Sequence, residues 1–244
     1  MRAIVLGLAV IATSTFGQDL DRTFYFTHTD TTQQLMEVGT TIRTIADIQQ
    51  VSADSDQKSV TVHATAPQIA MAEWLFNELD SPIAQPSVPH EYRVAGSPDD
   101  VVRVFYVTTA ATVQDFQEAS TLVRTITGIR RVFTYNERKA LVIRGTGAQS
   151  GLAEWLLKEL EPEPTSSTHE YRMADFQHDF NVVRVMRLTH AGNIQDFQKQ
   201  ATQIRGAANL TYIFTYNPLR AMAIRGTADQ IAVAERMAQQ LDKP

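Results

Sequence analysis

Apolar positions along the middle of the chain change period three times. Val101 to Val107 is β-branched and aromatic, which predicts a strand. Val113, Phe116, Ser120, Val123 and Ile126 then fall on one helical face. Thr112 stands where an N-cap belongs, with Asp115 in the first turn, where a carboxylate suits the helix dipole. Arg131 to Tyr135 and Ala140 to Arg144 read as two short strands around an Asn136 to Lys139 turn. A second helix is expected from about Gly147 to Leu160. The predicted order is β-α-β-β-α, an α+β unit with both helices on one face of a small sheet.

This pattern recurs at an offset of 81 residues, so that Arg103 to Glu161 lies over Arg184 to Asp242 without a gap. Roughly two in five of those paired residues are identical. Phe133 to Asn136 returns as Phe214 to Asn217, and Arg144 to Thr146 as Arg225 to Thr227. The same step backward finds a diverged copy, Arg22 to Asp80. Thr65, Thr146 and Thr227 each precede a Gln by three residues, a capping-box signal at equivalent helix starts. Asn217-Pro218 suits a type I turn at the hairpin of the last copy.

The later two copies have a lead-in, His90-Glu-Tyr-Arg93 and His169-Glu-Tyr-Arg172, expected to add a strand. Residues 81–89 and 161–168 are rich in Pro and Ser and read as semi-rigid linkers. At the N-terminus, Arg2, the apolar stretch Ala3 to Ala12 and small residues up to Gly17 predict an export signal cleaved before Gln18. The expected organisation is a signal peptide at 1–17 and units at 18–81, 90–161 and 169–244, periplasmic or secreted.

The chain has no cysteine, which excludes disulfides, thiolate metal sites and a thiol nucleophile. A formal charge of −5 argues against a nucleic-acid partner. No later stretch is long and apolar enough for a membrane helix after signal cleavage.

Taken together, Gln114-Asp-Phe116 and Gln195-Asp-Phe197, the hairpin Tyr216 to Ile224 and the tail Gly226 to Pro244 resemble the periplasmic N-terminal repeat domains of bacterial secretins. Those proteins form the outer-membrane channels of secretion and type IV pilus systems. The resemblance covers nearly all of the chain after residue 17. It implies a periplasmic setting and work done by protein–protein contact, with domains stacking or joining into rings. The family's pore domain has no counterpart here, so a channel is not expected.

Candidate chemistry is sparse. His28, His63, His90, His169, His178 and His190 form no HExxH pair, and adjacent His and Glu in the lead-ins point to opposite strand faces. Gly145-Thr-Gly147 lacks the Lys of a phosphate loop, and the β-α-β-β-α order shared with KH domains lacks their GxxG loop. Arg144 and Arg225 read as strand-end arginines, solvated or paired locally. No catalytic, cofactor or metal residues are assigned.

One surface stands out. On a helical wheel Ile69, Ala72, Leu75, Phe76 and Leu79 share the core face, whereas Trp74 falls opposite with Met71 beside it. Leu152 and Trp155 repeat the pattern; Val233 and Arg236 follow in the last copy. Met71, Trp74, Leu152 and Trp155 are therefore the candidate interaction surface, facing a neighbouring unit or another chain. The sequence reads as a non-catalytic exported interaction or assembly module with protein partners or self-association. The alternative is a module binding an envelope glycan such as peptidoglycan, which predicts a groove with exposed aromatics.

Overall fold

A computed structural model describes residues 19–29, 31–81, 90–163, 169–173 and 179–243. The expected signal peptide, most of both linkers and His178 lie outside the described residues. The fold is α+β, with six α-helices and three small antiparallel sheets among the described residues. The first sheet contains β1 (Leu20–Tyr25), β2 (Gln50–Asp54) and β3 (Ser59–Ala64) in the order β1-β3-β2. Its helices are α1 (Thr32–Ala46) and α2 (Ala66–Leu79). The second contains β4 (His90–Arg93), β5 (Val101–Tyr106), β6 (Arg131–Tyr135) and β7 (Ala140–Gly145) in the order β4-β5-β7-β6. It carries α3 (Val113–Thr127) and α4 (Gly147–Glu159). The third contains β8 (Glu170–Arg172), β9 (Val182–Arg187), β10 (Tyr212–Tyr216) and β11 (Ala221–Gly226) in the order β10-β11-β9-β8, with α5 (Ile194–Ala207) and α6 (Ala228–Leu241).

Local signals explain these elements. Thr112 accepts from the Asp115 N–H at 3.1 Å, and the Asp115 carboxylate accepts from the Thr112 N–H at 2.9 Å. Gln149 and Gln230 close the same reciprocal box with Thr146 and Thr227. Their amide nitrogens also donate to the Thr127 and Asn209 carbonyls, tying each second helix to the end of the first. The β2–β3, β6–β7 and β10–β11 hairpins each turn through a left-handed residue, Lys58, Lys139 and Arg220 respectively. In the last of them, Asn217–Leu219 forms a single 3-10 turn.

The helices lie on one face of their own sheet, but two of the three pairs are covered on the far side as well. Leu141 and Ile143 join the cluster of α3 and α4, whereas Ala140 and Val142 on the same strand join that of α1 and α2. Met222 and Ile224 likewise face α5 and α6, while Ala221 and Ala223 face α3 and α4. The elements thus alternate as sheet, helices, sheet, helices, sheet, helices. β7 and β11 are buried at all six positions, the consequence of being the central strand between two helical layers.

Candidate interface: the joints between units

The same polar set fastens both places where one unit's helices meet the next sheet. At the first joint, Asn136 opens the β6–β7 hairpin, and its backbone and side-chain N–H groups donate to the two carboxylate oxygens of Glu37, each at 3.0 Å. At the second, Asn217 binds Glu118 identically, at 3.0 and 2.8 Å. The second contact is cationic. Arg144 Nη1 donates to the Ile45 carbonyl at 2.9 Å, and Arg225 Nη1 to the Ile126 carbonyl at 2.7 Å. Both carbonyls lie in the last turn of a helix, where they lack intrahelical partners and the dipole is negative.

Of the two expectations for these strand-end arginines, solvation is corrected, Arg144 being 8% and Arg225 3% exposed, whereas local pairing holds for Arg144, which also donates to the Asp99 carbonyl at 3.2 Å and Ser97 Oγ at 3.4 Å. The neighbouring unit's helix end covers them, and a single-unit reading could not contain that cover. Burial pulls both guanidinium groups below the ordinary arginine value. Arg131 adds to this at Arg144 while Asp47 and Asp99 oppose it; Tyr212 opposes it at Arg225. The Arg225 guanidinium also sits 3.8 Å from the Tyr212 ring centroid.

The lead-in strands complete each joint. His90 lies 2.5 Å from Glu78, and His169 lies 2.7 Å from Glu159, each glutamate belonging to the preceding unit's second helix. Trp74 packs on Tyr92 with ring centroids 5.6 Å apart, and Trp155 on Tyr171 at 5.5 Å. The candidate surface is therefore divided. Trp74 and Trp155 are half-buried under the next unit's tyrosine. Met71 and Leu152 are not on an outer patch; they are 3% and 0% exposed within the hydrophobic clusters. The wheel assigned one buried face to a helix that touches its own sheet and the following lead-in. Trp155→Ala is expected to cost about 1–2 kcal/mol, less than for a fully buried indole. A thermal midpoint equal to that of the parent chain would count against this contact.

Phenols add a pH dependence. Tyr106 donates to the Glu78 carbonyl at 2.9 Å across the first joint. Burial, assisted by Glu78, pushes its pKa from 10.0 up to about 12. Burial also raises Tyr135 and Tyr216, which lie in the clusters shared across the first and second joints. A raised phenol stabilises the fold fully below its unfolded pKa, and that contribution is lost as pH rises from about 10 towards 12. Denaturation midpoints should fall through this window, and less steeply in Tyr106→Phe. An identical profile in that variant would exclude Tyr106 as a contributor.

The joint chemistry stops at both outer faces. On the first sheet Asp21, Thr23, Thr61 and His63 stand where the second has Val102, Val104, Val142 and Arg144. On the last helices Lys199, Gln203, Arg236 and Gln240 replace Glu118, Leu122, Trp155 and Glu159, and all four are exposed. A groove of about 700 Å³ runs beside β9 and α6. Its charged lining residues include Arg184, paired with Glu170 and Glu235, and Asp242, which accepts from the backbone N–H groups of Thr189 and His190. Its described lining residues include the His169 imidazole but no Phe, Tyr or Trp.

No protein-family model matches the chain, and no curated protein matches it. Among solved structures it is similar to Aeromonas hydrophila ExeD, at 13% identity over 92% of this chain and 41% of that one, with a TM-score of 0.22. It is similar to XcpQN012 at 18% identity over 93% of this chain and 100% of that one, TM-score 0.30. It is also similar to a chain of the ETEC pilotin–secretin AspS–GspD complex, at 12% identity, over 93% of this chain and 38% of that one, TM-score 0.23. The chain thus spans about two fifths of the length of ExeD.

Proposed function

We propose that this chain is a non-catalytic, exported interaction module of three secretin N-domain-like units, at 18–81, 90–161 and 169–244, working in the periplasm as an accessory to a secretin-type secretion or type IV pilus system. The observation that carries this reading is the recurrence of one docking set at both joints: Glu on Asn, Arg on a helix-end carbonyl, Trp on Tyr. The recurring chemistry holds protein against protein, with Trp74 and Trp155 at those contacts between units and Met71 and Leu152 in the clusters behind them. The secretin-like motifs around Phe116 and Phe197 supply the choice of system. Among the described residues no helix is long and apolar enough to cross a membrane.

The test is native expression followed by envelope fractionation, intact-mass measurement and in-cell crosslinking. The expected result is a periplasmic chain starting at Gln18 and crosslinked to a secretion or pilus component. A cytoplasmic chain retaining Met1 would overturn the proposal.

A further inference from the structure

The outer edge of β1 differs from its two counterparts. β4 covers the edge of β5, with Glu91 opposite Arg103, and β8 covers that of β9, with Glu170 opposite Arg184. β1 holds the same position in its own sheet, and among the described residues it pairs with β3 alone. The covering strands bring one carboxylate to one arginine. Glu91 lies 2.9 Å from Arg103 Nε, and Arg103 reaches on to Glu154 of α4 at 2.7 Å. Glu170, Arg184 and Glu235 repeat this triad in the third unit. β1 presents the equivalent arginine and helix glutamate, Arg22 and Glu73, 3.0 Å apart, and no strand brings a second carboxylate to them among the described residues. The exposures follow: the side chains of Arg103 and Arg184 are 14% and 24% exposed, that of Arg22 52%. Leu20, on the same strand face as Arg22, is 49% exposed.

We infer that the outer edge of β1 is a docking site for an extended strand of another polypeptide, paired antiparallel, with a carboxylate residue opposite Arg22. This rests on the reading of the chain as an interaction module and gives it a surface and a partner chemistry. A strand edge presents a row of backbone donors and acceptors for an incoming strand, while side chains at alternate positions set specificity. The register follows from β4. Glu91 faces Arg103 and Arg93 faces Val101, which correspond to Arg22 and Leu20. The partner's carboxylate is thus followed two residues later by a side chain over Leu20, where an aliphatic group buries most. The chain's own first 18 residues contain no Asp or Glu and do not meet this requirement.

The probe is a synthetic peptide of residues 88–95, which contains the Glu91 strand, titrated to millimolar concentration into the isotope-labelled full chain. Amide shifts are expected to concentrate on Leu20–Tyr25. Arg22→Glu should weaken binding by about fivefold or more, and a Glu91→Arg peptide should recover it on that variant. Shifts absent from β1 over this range, or indifferent to the charge swap, would overturn the inference. A chain that crosslinks to secretion components while its β1 amides ignore the peptide sinks the edge site alone.

Discussion

Phe116→Ala is expected to cost about 3–5 kcal/mol of stability. The ring is 0% exposed and belongs to the cluster that joins α3 and α4 to both flanking sheets. Truncation opens a cavity that two sheets and a helix pair must close together, so little collapse is available. The loss should therefore spread beyond the second unit, loosening β10 and β11 as well. Phe197, also 0% exposed, belongs to the cluster of α5 and α6. Phe197→Ala should cost a similar amount, yet leave amide exchange in β1 to β3 unchanged. Urea denaturation of the two variants provides the check. A loss well under 1 kcal/mol for Phe116→Ala would contradict the packing of α3.

The second large effect is expected at Arg225. Arg225→Ala removes the donor to the Ile126 carbonyl and the cation over Tyr212. It leaves a buried helix-end carbonyl without that partner, so the expected cost is about 2–4 kcal/mol. The damage should appear at the second joint first, as faster amide exchange in Tyr212 to Gly226 with β1 to β3 unaffected. Arg225→Lys keeps the charge but not the planar fork that fits the carbonyl and stacks on the ring, so it should recover only part of the loss. A denaturation midpoint equal to the parent's in Arg225→Ala would remove this arginine from the joint.

What the sequence reveals and what it hides divide along a physical line. Signals contained in a few neighbouring residues were legible. Thr146 with Gln149 marked a helix start, Thr112 with Asp115 another, and the hairpins fell between Tyr135 and Ala140 and between Tyr216 and Ala221. Contacts between units were not, because Glu37 and Asn136 are 99 residues apart, as are Ile45 and Arg144. A periodic pattern reports how many faces an element buries but not against what. One available signal was the contrast between central strands. Ser59 to Ala64 alternates, whereas Ala140 to Ile143 is apolar throughout, the mark of burial on both sides. The helical wheel could only set Met71 and Leu152 beside the tryptophans, because an apolar residue off the core face reads as a patch until what covers it is known.

The equivalence of the two joints also makes the middle of the chain interchangeable. Excising residues 82–162, one full period, would set α1 beneath β10 and β11. Glu37 would then meet Asn217, and the Ile45 carbonyl would meet Arg225, the pairings each of them already makes with another partner. Conversely, a duplicated middle period would find a compatible surface on either side of itself. Only the outer two units, each with one polar face, are fixed in position. In that reading the middle period behaves as a repeatable monomer, and a change of length by whole periods would remake the Glu–Asn and Arg–carbonyl pairings that the joints already use.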